Sequence, residues 1–296
     1  MALTPTFALP PTFLGTANRD TAAAVAVAGV PFDLGTTNRP GARMAPNAIR
    51  AASRMLVDGE NPANWRDPSA MGIADLGDFA VALGDIPATL ALIESQAAAI
   101  PGRLVTLGGD HTITLPLLRA LRAKVGQKLA LVHFDAHVDT WPDNFGQVLA
   151  HGSVMWHVLN EGLVDPARMV QVGIRSPVQK AVAEWAPAQG VTVITAEDVH
   201  CAGPAAVADR IRAIVGDCPA YLSFDIDAID PAFAPGTGTP EVGGLATWQV
   251  MALLRRLGGL DWRGMDVVEV APPFDHAELT ALAAASVAWA WLSLLE

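Results

Sequence analysis

A three-layer αβα fold around a central parallel sheet is the class this sequence predicts, on three observations. Short apolar runs of strand length recur along the chain, and most are followed by a segment with apolar residues at helical spacing. Several of the runs are apolar throughout rather than alternating, as in strands covered on both faces. The unusual polar clusters sit just after such runs, where open parallel sheets bind ligands outside the carboxyl ends of their strands.

Residues 23–30 form a compact apolar run stopped by Pro31 and read as the first strand. The loop PFDLGTTNRPGARMAP follows, then helical spacing over 47–56, and a connection rich in turn residues, DGENPANWRDP, at 58–68. A short strand near 73–76 leads to a helix over 87–100, ended by Pro101-Gly102. The next strand, 103–107, runs into Gly108-Gly109-Asp110-His111 and a helix over 115–124. The alternation then repeats: strand 129–134, helix 153–161, strand 169–173, helix 178–185, strand 191–195 and helix 204–215. Strand 220–224, helix 247–257, strand 265–270 and an apolar final helix over 279–295 complete it. No repeat or interdomain linker interrupts the pattern, so residues 23–296 are expected to form one catalytic domain behind an N-terminal arm, 1–22.

The net charge is -11 and no Lys/Arg cluster is present, which argues against nucleic acid as a partner. An acidic surface modestly favours cationic ligands, although ordinary solubility explains it equally well. The two cysteines, Cys201 and Cys218, belong to no metal-binding spacing, so reduced thiols and a cytoplasmic protein are expected. The N-terminal stretch lacks a basic segment and is broken by Pro5, Pro10 and Pro11, unlike a signal peptide. The apolar stretch 279–295 is too short and too rich in Ala, Thr and Ser for a membrane span, so no membrane partner is expected.

The chemistry concentrates in LVHFDAHVDTW at 131–141, where Asp135, His137 and Asp139 occupy alternate positions after an apolar strand. On an extended chain alternate residues share a side, which predicts an imidazole and two carboxylates converging at the strand end. Asp225 and Asp227 repeat the spacing in SFDIDAIDPAFAPGTGTPEVGGL at 223–245, and His111 closes a third strand end. Such a set repels itself unless a cation sits among it. Two imidazoles and four carboxylates, without sulfur, suit Mn²⁺ better than structural Zn²⁺. Four carboxylates offset two divalent charges, so a two-metal centre is the expected form, able to lower the pKa of a water between its ions.

GGDH at 108–111, FDAHVD at 134–139, HGS at 151–153, the long segment 223–245 and MDVVEVAPPFDHAELTALAAA at 265–284 resemble the ureohydrolases, the arginase and agmatinase family, as does GVPFDLGTTNRPGAR at 29–43. The resemblance spans residue 29 to the C-terminus, and NEGLVDPARMVQVGIRS at 160–176 is most similar to the agmatinase branch. It implies an arginase-like fold. His111 and Asp225 would bind one manganese and His137 the other, with Asp135, Asp139 and Asp227 completing or bridging the pair. Asp139 counts with His151 and Glu269 as catalytic: His151 matches the family's proton shuttle and Glu269 the glutamate that holds the guanidinium. The implied reaction hydrolyses a guanidino compound to urea and an amine, agmatine to putrescine first of all. A homo-oligomer, trimer or hexamer, is implied too.

The far end of the substrate is left open. Ala45 and Trp141-Pro142 depart from the usual agmatinase loops, so guanidinobutyrate, guanidinopropionate, guanidine and biguanides stand as alternatives, with Ni²⁺ as an alternative metal. Asn38, Arg39, Arg43 and Asn144 could read a carboxylate tail, and Asp143 or Glu241 an amine. A mononuclear deacetylase-like hydrolase would need fewer carboxylates, and a non-catalytic partner subunit would be expected to lack ligands. Asp at strand ends and helix starts is also an ordinary capping residue, but six such residues in these contexts are hard to assign to capping alone. His133, Asp110 and Asp230 read as residues supporting the ligands, Trp141 as a channel wall, and Gly236 and Gly238 as turn formers. His157 and His200 read as surface positions; Glu241, Asp275 and His276 stay unassigned.

Overall fold

The computed structural model describes residues 6–295. Its centre is one eight-stranded sheet in the order β2-β1-β3-β8-β7-β4-β5-β6, with every neighbouring pair parallel. The strands are β1 (Val25–Gly29), β2 (Ala74–Asp78), β3 (Arg103–Leu107), β4 (Leu129–Phe134), β5 (Val164–Ile174), β6 (Thr192–Thr195), β7 (Ala220–Asp225) and β8 (Trp262–Val268). The chain winds to one edge, crosses to build the other half, and returns to insert β7 and β8 between the halves. Strands β1, β4 and β7 are buried along their whole length; β1 is apolar throughout, and β4 and β7 are apolar but for His133, Ser223 and Asp225.

Alternation along each strand feeds two cores. Val25, Val27, Ala130, Val132 and Phe134 face helices α1 (Ala45–Ser53), α6 (Ala196–Val215), α7 (Thr247–Leu254) and α8 (Leu279–Leu292). Ala26, Ala28, Leu129 and Leu131 face α2 (Ile86–Ala98), α3 (Thr114–Val125), α4 (Val154–Asn160) and α5 (Lys180–Gln189). Phe134 and Phe224 stack at 5.1 Å between ring centroids on neighbouring strands, a contact worth about 1 kcal/mol beyond its burial, just below the residues of interest. The uniformly apolar α8 is explained by its place between α1, α7 and the sheet, where Trp291 meets Trp262 edge to face. No helix among the described residues is long and apolar enough to cross a membrane.

Two elements depart furthest from their sequence expectation, both at their starts. Helix α6 starts eight residues before 204, because Thr195 and Asp198 form a reciprocal capping box; Gly203, at φ 77°, and Pro204 then kink it. Strand β5 begins at Val164, ahead of 169, since its early residues pair with Leu129 before a register shift. At the N-terminal end, the backbone N–H of Phe13 donates to Asp75 and that of Leu14 to Ser53, and both side chains are buried. The first five residues of the expected arm lie outside the described residues.

Candidate metal centre and substrate cleft

Four strands that are contiguous in the sheet, β3, β8, β7 and β4, end at one spot. His111 opens a single helical turn, His111–Ile113, after β3. Asp135, His137 and Asp139 occupy the loop after β4; Asp225 is the last residue of β7, and Asp227 lies in the turn Ile226–Ala228. Glu269 directly follows β8, and His151 opens the turn His151–Ser153 before α4. Gly108 and Gly109 make the exit from β3 possible: both have positive φ, and a Cβ there would meet neighbours at 2.6 and 2.8 Å.

The clusters converge, but not through strand alternation. Strand β4 stops at Phe134, and the carboxylate of Asp135 accepts the backbone N–H of His137 at 2.6 Å, bending the chain. Asp225 does the same to Asp227 at 2.9 Å, and Asp110 to Thr112 at 3.0 Å. All three strand ends therefore use one device, an aspartate turning the chain by binding the N–H two residues on. Asp139 and Glu269 sit in the left-handed region, at φ 51° and 63°, the kind of strain that proteins retain where side-chain direction matters.

His111 Nδ1 lies 3.2 Å from Asp135, 3.1 Å from Asp139 and 3.2 Å from Asp225. His137 Nδ1 lies 3.3 Å from Asp135 and 3.0 Å from Asp227. Asp135 thus offers one oxygen to each imidazole. Burial alone would raise the Asp135 pKa, but the imidazoles of His111, His133 and His137 around it hold it well below the usual range. Burial pushes Asp225 well above that range, with the charges of Asp227 and Asp135 adding to it, and Asp227 is also raised, chiefly by burial. Buried negative charge therefore exceeds what the imidazoles can balance.

A divalent cation fits this set. His111 Nδ1 is fully buried and has three carboxylate oxygens around it, yet none aligned with the ring for a hydrogen bond. Such an orphaned nitrogen facing hard oxygen donors is satisfied by a metal ion. His133 also lies within reach of the cluster, but both its nitrogens are occupied: Nε2 meets Asp135 at 2.8 Å, and Nδ1 meets the amide of Gln171 at 3.0 Å. It supports Asp135, as its place one strand step deeper suggests.

Several supporting residues carried no signal in the sequence. Nε2 of His111 contacts Ser223 at 2.9 Å, and Ser223 donates to the buried Asp266 at 2.8 Å, which also accepts from Thr114 and Tyr221. This leaves Nδ1 of His111 turned to the carboxylates. Arg175 donates only to backbone carbonyls, those of Gly173, Asp227, Ala228, Glu241 and Val242, so one guanidinium joins three loops. The side chain of Glu241 accepts from Ser176 at 2.9 Å and stands 3.7 Å from His137 Nε2.

His151 and Glu269 form a pair, with Nδ1 3.1 Å from Oε1. The same oxygen accepts the backbone N–H of His111 at 2.8 Å. On the other side of the ring, Nε2 has the Thr37 N–H at 3.1 Å and the Thr37 hydroxyl at 2.8 Å. Burial pulls the His151 pKa down, but the charge and hydrogen bond of Glu269, with Asp139 and Asp110 beyond, lift it to about 9.

Asp110 and Asp230 bind backbone N–H groups of nearby turns, and Asp275 caps the start of α8 through the N–H groups of Thr280 and Ala281. His276 is exposed beside it; His157 contacts the carbonyl of Val148, and His200 that of Gly243. Gly236 and Gly238 do not need positive φ. They are required by close approach, since a Cβ would meet Asp275 at 2.8 Å and the Arg39 carbonyl at 3.0 Å.

The sequence model of the arginase family matches residues 23–293. The chain belongs to the arginase family. Among its arginase-family relatives, the agmatinase of Chromobacterium violaceum is 45% identical over 277 residues, covering 92% of this chain and 83% of that one. A hypothetical agmatinase from Burkholderia thailandensis superposes with a TM-score of 0.91 at 44% identity, over 98% of this chain and 92% of that one. The proclavaminate amidino hydrolase of Streptomyces clavuligerus gives 0.92 at 38% identity, over 98% of both. In this arginase-family chain a cleft of about 420 Å³ opens onto the cluster, lined by His137, Asp139, Asp225, His151, Thr37 and Thr239, and further out by the loop after β4 with Trp141, Asp143, Asn144 and Phe145.

Proposed function

We propose that this chain hydrolyses agmatine to urea and putrescine, with two divalent ions, Mn²⁺ in the first instance and Ni²⁺ as the alternative, held by His111, Asp135, His137, Asp139, Asp225 and Asp227. The observation that carries this reading is the carboxylate of Asp135, within 3.3 Å of both inward imidazole nitrogens at the floor of the cleft. The agmatinase relatives at 44–45% identity support the substrate. When bound, the ions supply the Lewis acidity that brings the pKa of a water toward neutrality.

The chain's own residues do the rest. Glu269 Oε1 is held by the His111 N–H and His151, so Oε2 is the oxygen left to accept a guanidinium N–H. Asp139, held in its left-handed turn, aims its carboxylate across the cluster at His111. His151 moves the proton: its Nε2 accepts the Thr37 N–H when neutral and donates to the Thr37 hydroxyl when charged, so the ring is partnered in both states. From that position Nε2 delivers the proton to the departing amine. Urea release from agmatine by the Mn²⁺-loaded protein tests the reading, and finding none from agmatine, arginine, guanidinobutyrate or guanidine would sink it.

The functional unit is taken to be one catalytic domain from residue 23 onward, preceded by the arm 1–22, acting in the cytoplasm as a homo-oligomer, trimer or hexamer. Supporting the assembly, Phe233 and Leu279 are exposed at an apolar groove of about 320 Å³ between α7 and α8, with Trp248 exposed on α7. Light scattering of the metal-loaded protein at micromolar concentration is expected to give three or six times the chain mass; the mass of one chain would refute it.

A further inference from the structure

Outside the metal cluster, the wall of the cleft is the loop between β4 and α4. Trp141 is fixed there by its indole N–H, which donates to Gln179 at 2.9 Å. Asp143 closes a turn, its Oδ1 accepting the Gly146 N–H at 2.8 Å, which sets the direction of the side chain and leaves Oδ2 for a ligand. Of the three aspartates lining the cleft, Asp139 and Asp225 belong to the cluster around His111. Asp143 is the uncommitted one, and no Lys or Arg is among the described residues lining the cleft.

Of the four groups that could have read a carboxylate tail, three are engaged elsewhere, and the fourth, Asn144, lines the cleft but carries no charge to pair with a carboxylate. Arg43 donates to Asp33 at 2.6 Å, Arg39 stacks over Phe274 with 5.1 Å to the ring centroid, and Asn38 donates to the Gly238 carbonyl at 2.9 Å. Glu241, the other acidic candidate, is bound by Ser176 next to His137, too close to the cluster for the end of a long substrate.

We infer that Asp143 is the specificity residue that pairs with the cationic end of an aliphatic guanidine whose methylene chain lies along Trp141. This rests on the proposed hydrolysis of agmatine and adds the residue that distinguishes an ammonium tail from a neutral or anionic one. A bare hydrocarbon tail would gain from Trp141 but not from the charge, and an anionic tail would be repelled.

The test measures kcat and KM of the Mn²⁺-loaded protein for agmatine, n-butylguanidine and 4-guanidinobutyrate, with metal content and circular dichroism checked for each variant. The wild type is expected to prefer agmatine. Asp143→Asn should lower the agmatine-to-butylguanidine ratio of kcat/KM roughly tenfold, through KM, and Asp143→Glu should restore most of it. Asp143→Lys should move the preference toward 4-guanidinobutyrate. An unchanged ratio in Asp143→Asn, with agmatine still hydrolysed, overturns the inference and leaves the proposed function standing. A wild type that prefers 4-guanidinobutyrate also overturns it. Silence of the wild type on all three overturns the proposed function, and the inference falls with it.

Discussion

Replacing Asp225 with asparagine is expected to lower urea release by about three orders of magnitude and, at the same time, to raise the melting temperature of the metal-free protein. The first effect follows from the position of Asp225, 3.2 Å from His111 Nδ1. An amide is a poor ligand for a hard cation, and a correctly bound metal ion contributes several kcal/mol of transition-state stabilisation, which converts to about a thousandfold in rate. The second follows from the metal-free electrostatics. Burial, with the charges of Asp227 and Asp135, pushes the Asp225 pKa far up, so above the ordinary carboxylate range this residue opposes folding. Asparagine keeps the shape and can still accept the Asp227 N–H through its carbonyl, while removing the charge. A gain of about 1 kcal/mol at pH 8 would appear as roughly 2 °C. Full activity with two ions bound, or a lower melting temperature of the chelated variant, would contradict this account.

Chelation should expose a pH dependence that metal loading suppresses. In the metal-free protein, burial and the charge of Glu269 raise Asp110 to about 7, while Glu269 lifts His151 to about 9 against the pull of burial. Both groups hold protons in the folded state that the unfolded chain has released. For Asp110 stability therefore falls as pH rises from about 4 toward 7. For His151 the contribution is complete below the unfolded value near 6.5 and is lost as pH rises through about 9. The His151 share is on the order of 3 kcal/mol, since each pKa unit corresponds to about 1.4 kcal/mol. The His151 share alone should lower the melting temperature of EDTA-treated protein by about 6–12 °C between pH 6.5 and 10, and His137 and His111, whose pKa values are also raised, against the pull of burial, by the surrounding carboxylates, deepen the fall. Two divalent cations repel the same protons, so the loaded protein should show a flatter profile. A chelated protein whose melting temperature stays level or rises over that interval would refute the argument.

Most of the sheet and all six residues of the proposed metal set were legible in the sequence, because both write themselves locally. An apolar run of five or six residues is a strand signal, and an aspartate two positions before another polar residue is a turn signal. The same signal was open to a wrong geometric reading: Asp135, His137 and Asp139 meet because Asp135 bends the chain, not because a strand continues. What stayed hidden depends on distance along the chain. Arg175 serves backbone carbonyls up to 67 residues away, and carbonyls have no sequence identity. Gln171 and His133 sit on neighbouring strands 38 residues apart, and nothing in either segment announces the other. Thr37 carries no such signal in a loop where Asn38, Arg39 and Arg43 stand out by charge and amide chemistry, although its N–H and hydroxyl frame the His151 ring.

The place of β7 and β8 in the sheet bears on how the protein is made. During synthesis β1 to β3 and β4 to β6 emerge as two separate half-sheets, because the strands that join them come last. His111, Asp135, His137 and Asp139 are then already present, but Asp225, Asp227 and Glu269 are not. At typical translation speeds the interval between β4 and β8 is on the order of ten seconds. A nascent chain during that time carries half a binding site, weak for any ion, and the seam closes only when the last strands slide between the halves. A fragment that ends before residue 225 therefore lacks Asp225 and Asp227, two of the six residues proposed to hold the metal pair.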